Sequence, residues 1–123
     1  AWQAQHGIRS FFMEDVRRES LDEVVGQTIG LLGPGPVFVS VDVDVLDPAF
    51  APGTGTPEPG GMSSAELLAA VRRFGRELDV VGAEVVEVIP TAVGSADITA
   101  LAAERSVREL LTGIALRRTE GTR

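Results

Sequence analysis

Val37-Phe38-Val39-Ser40-Val41-Asp42-Val43-Asp44-Val45-Leu46-Asp47-Pro48 runs from an apolar stretch straight into three carboxylates. Its β-branched and aromatic residues fall on both alternating faces, which predicts an interior strand of a parallel sheet, covered on both sides. Side chains alternate along a strand, so Asp42 and Asp44 are expected on one face, where the strand gives way to a loop. Two carboxylates side by side repel and resist desolvation unless a cation lies between them. Hard oxygen donors in a chain without cysteine suit magnesium, manganese or calcium better than a thiolate-seeking metal. Beyond them, Pro48, Pro52, Gly53, Gly55, Pro57, Pro59, Gly60 and Gly61 punctuate a loop too rigid for a linker and too irregular for helix or strand. A long loop at the carboxyl end of a parallel strand is where open α/β sheets build their sites.

Working outward, helices and strands alternate. Ala1 to His6 reads as the tail of a helix ended by Gly7, and the missing initiator methionine is expected of a chain cut from something longer. Gly7 to Met13 predicts a strand by its partial alternation. Ser20-Leu21-Asp22-Glu23 is a capping-box pattern and predicts a helix over Leu21 to Leu32, ended by Gly33-Pro34-Gly35-Pro36. Ser63-Ser64-Ala65-Glu66 repeats the box before a helix carrying Leu67, Leu68, Val71 and Phe74 inward and Arg72, Arg73 and Arg76 outward. Val80 to Ile89 predicts the next strand, stopped by Pro90. Asp97 or Ser95 caps a last helix with Ile98, Leu101, Val107, Leu110, Leu111 and Ile114 on its apolar side and Arg117 and Arg118 at its end. The order β-α-β-α-β-α predicts a parallel α/β sheet with helices on both faces.

At 123 residues the chain is one domain or part of one. The net charge is −7, and all eleven basic residues are arginine. That balance argues against a nucleic-acid groove or an anionic membrane partner and is compatible with a cationic substrate. Ordinary solubility explains the same charge equally well. The absence of cysteine excludes disulfides and thiolate metal sites and fits the cytoplasm. No apolar stretch is long enough to span a bilayer.

Several chemistries could use the acidic pair. An EF-hand starting at Asp42 fails, because Leu46 would be its third acid and Gly53 its twelfth position. Metal-dependent glycosyltransferases and phosphatases with an aspartyl nucleophile also place Asp-x-Asp at a strand end; in the latter, Asp42 would attack phosphorus with Asp44 as acid. Asp47, next to Pro48, is expected to accept backbone N–H groups and set the turn. Glu87, among apolar neighbours before Pro90, needs a cation or donors, and an arginine partner would serve. Glu84 should face the opposite side. His6 is the sole histidine and is expected at the surface.

From Ser40 through the proline- and glycine-rich loop to Gly61, the sequence resembles the signature of the ureohydrolases, the arginase and agmatinase family, most closely its agmatinase and guanidinobutyrase-like branch. The resemblance implies a three-layer α-β-α arginase-like fold with a parallel sheet. Residues 1–123 would form the C-terminal portion of a single ureohydrolase domain. It implies manganese-dependent hydrolysis of a guanidino compound, foremost agmatine, to urea and an amine. Two manganese ions would be held in part by Asp42, which bridges them, and Asp44, which holds one. Glu87 would bind the substrate guanidinium, which a carboxylate can meet with two parallel hydrogen bonds, and Thr56 would line the substrate pocket. A trimeric or hexameric cytoplasmic homo-oligomer is implied as well.

The family's upstream histidine and its Asp-x-His-x-x-x-Asp cluster have no counterpart in this chain, so no catalytic proton-handling residue is assigned and the chain alone is expected to be inactive. Where related enzymes carry a tyrosine and an aspartate after the proline, this chain has Thr91-Ala92-Val93-Gly94-Ser95 and no tyrosine anywhere. The alternatives are a truncated or degenerate non-catalytic fragment of the family and the aspartyl-nucleophile phosphatase. Neither the phosphatase nor the glycosyltransferase pattern accounts for the Pro/Gly loop or for Glu87-Val88-Ile89-Pro90.

Overall fold

Local caps decide where most helices begin. The computed structural model describes residues 2–89 and 98–121. A first short helix, α1 (Trp2–Gln5), ends at Gly7, whose φ of +70° suits a residue without a side chain. The expected strand at Gly7–Met13 does not form: Met13 instead opens helix α2 (Met13–Glu19). The reason is local and topological. Asp15 reaches back to accept the Phe12 N–H at 2.9 Å, which starts a helical turn. A strand also needs a ladder partner, and no described strand lies beside residues 7–12. Ser20 caps α3 (Leu21–Leu32) by accepting the Glu23 N–H at 3.3 Å.

Strand β1 (Pro36–Asp42) runs into a 3-10 turn at Val43–Val45. After the long loop, a complete capping box between Ser63 and Glu66 starts α4 (Ser64–Glu77). The chain returns as β2 (Asp79–Val86), shorter than the predicted strand. Helix α5 (Ile98–Glu120) closes the fold; its expected caps at Ser95 and Asp97, and the strand stop at Pro90, lie outside the described residues.

β1 and β2 pair in parallel, and their register matches Ser40 with Glu84 and Asp42 with Val86. The α/β character with parallel strands is therefore as the sequence predicts. One face of β1 delivers Val41 to a core made with Leu46, Ala51, Met62, Leu67, Val71 and Ala102. Each such Leu or Val contributes about 1.5–3 kcal/mol when fully buried. The covering expected on both faces of β1 is not found among the described residues, since Phe38 is 60% exposed.

Helices α4 and α5 approach closely through Gly75 and Gly113. A Cβ on Gly75 would strike the Leu110 carbonyl oxygen, and one on Gly113 would strike the Arg72 carbonyl oxygen. The contact is sealed by Glu109, buried on α5, which accepts hydrogen bonds from Arg72 on α4 and Arg105 on its own helix. Arg72, followed by Arg105, holds the Glu109 carboxyl below the usual glutamate range. The buried stripe of α5 is small or polar apart from Leu110: Thr99, Ala102, Ala103, Ser106, Glu109, Leu110 and Gly113. Of the expected apolar side, Leu110 is buried, whereas Ile98, Leu101, Val107 and Leu111 are exposed. No helix among the described residues is long and apolar enough to cross a membrane.

Candidate functional site

Parallel pairing brings the carboxyl ends of both strands to one rim of the sheet. Because Asp42 is level with Val86, the residue that follows, Glu87, emerges beside the acidic pair's strand end. Asp42 and Asp44 are indeed neighbours, although by a different route from simple strand alternation. Extended structure stops at Asp42, which caps the 3-10 turn: its Oδ1 accepts the Asp44 N–H at 3.2 Å. Both side chains are half-buried. Burial pushes the Asp42 carboxyl above its usual range; the Asp44 N–H opposes this, and the Asp44 carboxylate adds to the rise. An acid that is costly to ionise, beside a second acid, forms an all-oxygen donor pair suited to a hard divalent cation.

The loop is fastened to this pair. Leu46 bridges to Met62, through Asp47 N–H to the Met62 carbonyl at 2.9 Å and Met62 N–H to the Val45 carbonyl at 2.8 Å. Asp47 has the turn-setting job the sequence assigns it: its carboxylate accepts Ala49 N–H at 2.9 Å and Gly60 N–H at 2.8 Å. Those two donors hold its carboxyl below the usual aspartate range. In the middle of the loop, Gly53 donates to buried Thr99 Oγ1 at 2.8 Å and accepts from Ile89 N–H at 2.9 Å. Only glycine fits there, because a Cβ would stand 2.8 Å from the Ile89 carbonyl oxygen. Thr56 then delivers its hydroxyl to Asp44 Oδ2 at 2.7 Å.

Glu87 departs from expectation. It stands one residue beyond β2, is exposed rather than buried among apolar neighbours, and has a φ of +62°. A left-handed backbone at a residue with a long side chain is uncommon and concentrates at functional sites. It turns the carboxylate toward the loop: Oε2 lies 3.5 Å from the point a Cβ on Gly55 would occupy. Glu84 instead pairs across the sheet, accepting from Ser40 Oγ at 3.1 Å. His6 is exposed, its Nδ1 2.9 Å from the Trp2 carbonyl and its ring stacked on Trp2.

One participant, Thr99, escaped the sequence reading. Thr99 anchors the loop from α5, and Thr54 Oγ1 is buried without a hydrogen-bond partner among the described residues. No residue pattern marks Thr99, because it acts through a contact distant in sequence. Among the described residues, no group of three or more His, Cys, Asp or Glu side chains is gathered as a metal cluster. The pair is a partial donor set.

An α/β sheet with an acidic pair at the rim, under a loop clamped at Gly53, defines a class that comparison makes specific. The Arginase family model matches residues 1–113, and the chain belongs to the arginase family. It is 48% identical over 112 residues to the guanidinopropionase of Pseudomonas aeruginosa, a match covering 90% of this chain and 34% of that protein. It is 43% identical over 117 residues to the agmatinase of Klebsiella pneumoniae, covering 87% of this chain and 38% of that one. Among solved structures, the proclavaminate amidino hydrolase from Streptomyces clavuligerus superposes with a TM-score of 0.86 at 40% identity, over 94% of this chain and 39% of that one. The chain therefore spans little more than a third of the length of these relatives, and the fold is arginase-like.

Proposed function

We propose that this chain carries part of the active site of a manganese-dependent amidinohydrolase that releases urea from a guanidino compound. The observation that carries this reading is the parallel register of β1 and β2, which sets Asp42 and Asp44 beside Glu87 at one rim. Asp42 and Asp44 would hold manganese, in a site completed by ligands from outside this chain. Bound there, the metal supplies Lewis acidity that makes water nucleophilic near neutral pH. Glu87 receives the substrate guanidinium, its two carboxylate oxygens matching two parallel N–H donors. Thr56 faces the same pocket. Water adds to the guanidinium carbon, the bond to the substituted nitrogen breaks, and that nitrogen leaves as an ammonium group while the carbon becomes urea.

Agmatine is the leading substrate, supported by the relatives named agmatinase and by the net charge of −7, which suits a cation. Guanidino acids follow, supported by the relative named guanidinopropionase. Cytoplasmic residence and assembly as a trimer or hexamer belong to the same proposal. The test is urea release from agmatine, guanidinobutyrate, guanidinopropionate, arginine and proclavaminate-type substrates, with and without manganese, using a protein that carries this chain at the length of its relatives. Urea from at least one of them, dependent on manganese, is expected. Release from none would reject the proposal.

A second reading, a non-catalytic fragment, is favoured by the partial donor set among the described residues. Urea release by residues 1–123 alone would reject it. The aspartyl-nucleophile phosphatase gains no support from the family match.

A further inference from the structure

The proline- and glycine-rich loop is tied down at several separate points, and its effect falls on one carboxylate. Its base is closed by the Leu46–Met62 bridge and by Asp47, and its middle is pinned by Gly53 to Ile89 and Thr99. Pro57 fixes the backbone directly after Thr56. Thr56 is therefore presented to Asp44 by a braced segment, although twelve residues separate them. The contact is a 2.7 Å hydrogen bond from Thr56 Oγ1 to Asp44 Oδ2.

A threonine hydroxyl has one proton to give, and here it is given to Asp44. Holding one oxygen of a carboxylate fixes the plane of the group and so the direction in which its remaining lone pairs point. The Asp44 main chain is already fixed by its N–H bond to Asp42 Oδ1. With Thr56 in place, backbone and side chain of Asp44 are both set before any ligand arrives. We infer that Thr56 is a positioning residue for Asp44, orienting the carboxylate toward a divalent cation. This role adds to its place in the substrate pocket, where the hydroxyl's lone pairs could still accept an N–H. It rests on the proposal that Asp42 and Asp44 hold manganese.

The test uses the longer protein, stripped of metal and titrated with manganese by calorimetry, which needs no turnover. Thr56→Val keeps the volume and removes the donor; Thr56→Ser keeps the donor. Thr56→Val is expected to weaken one class of manganese site by about tenfold, in the range typical of residues that orient metal ligands, while Thr56→Ser binds close to wild type. Wild-type manganese affinity in Thr56→Val would overturn the inference, whatever happens to KM. Equal weakening in Thr56→Ser would overturn it too, since the hydroxyl would then not be what matters. If Thr56→Val fails to fold by circular dichroism, Thr56→Ala against Thr56→Ser decides by the same comparison. Asp44→Asn separates the two levels: with Asp44→Asn weak and Thr56→Val normal, only this inference falls. With Asp44→Asn also normal, the metal assignment falls and takes the inference with it.

Discussion

Asp42 is expected to oppose folding of the metal-free protein once its carboxyl is ionised, and this can be measured. Its folded pKa is raised by burial and by Asp44. A raised acid contributes stability that is complete below its unfolded pKa and is lost as pH climbs through the folded value. Above that value the contribution is gone, and an ionised, partly desolvated Asp42 remains. Asp42→Asn keeps an acceptor for the Asp44 N–H and removes the charge. It is expected to raise the thermal midpoint of metal-free protein at pH 7 and to abolish the further rise that manganese gives the wild type. A manganese-induced shift that survives Asp42→Asn would remove Asp42 from the ligand set. Glu87 offers a parallel case. Its left-handed backbone costs about 1–2 kcal/mol at a non-glycine residue. Glu87→Gly should therefore gain about 1 kcal/mol in denaturant unfolding while losing turnover. Glu87→Gln should keep the strain and the metal content but lose most activity, because a charge-assisted pair becomes a neutral contact. Normal turnover by Glu87→Gln on every guanidino substrate would take Glu87 out of the site. Residue identities made Asp47 legible as a turn-setter, since an acid before proline has few other uses. The exposure of Glu87 was not legible: nothing in Val85-Val86-Glu87-Val88 signals that the strand stops at Val86, three residues short of Ile89, and that the backbone inverts just beyond it.

At the scale of elements, the sequence announced what local chemistry controls and hid what distant partners decide. Both serine caps start helices where they should, because each hydroxyl accepts the N–H of the residue three positions on, and at Ser63 the Glu66 carboxylate completes the box. Residues 7–13 alternate like a strand, but alternation supplies no ladder partner, and the Asp15 cap at Phe12 wins. Helix α5 departs from the sequence expectation for a related reason. Its large apolar residues suggested the packed face, whereas the face that meets α4 is the one whose small residues allow close approach. Gly75 and Gly113 therefore carry the crossing. Alanine at either position has no space for its methyl group beside the facing backbone. Each substitution should cost about 1–3 kcal/mol in denaturant unfolding, as overpacking does, and the pair should cost less than the sum, because the first shift already parts the helices. Alanine variants as stable as wild type would mean that the helices do not meet this closely in solution.

For the whole molecule, the distribution of apolar surface sets the final expectation. Both outer edges of the two-stranded sheet lack a partner among the described residues. Two parallel strands make a marginal sheet alone, and an unpaired apolar edge invites another chain. Phe38, 60% exposed on the strand that the sequence marks as interior, and Val81, 68% exposed on its neighbour, put large side chains into water. The matched relatives are longer, the chain spanning 34% of one and 38% of another, so they have the residues with which such a sheet could be completed. Produced alone, residues 1–123 should self-associate, bind a hydrophobic dye, unfold without a sharp transition and release no urea with manganese. A protein carrying this chain at the length of its relatives should sediment as a defined species, unfold cooperatively and hydrolyse its guanidino substrate. Sedimentation velocity, dye binding and a urea assay on the two proteins side by side decide the matter. A monodisperse, cooperatively unfolding monomer of residues 1–123 would mean that the exposed strands are tolerated as they stand. Urea from that monomer would mean that Asp42, Asp44 and Glu87 suffice without further ligands.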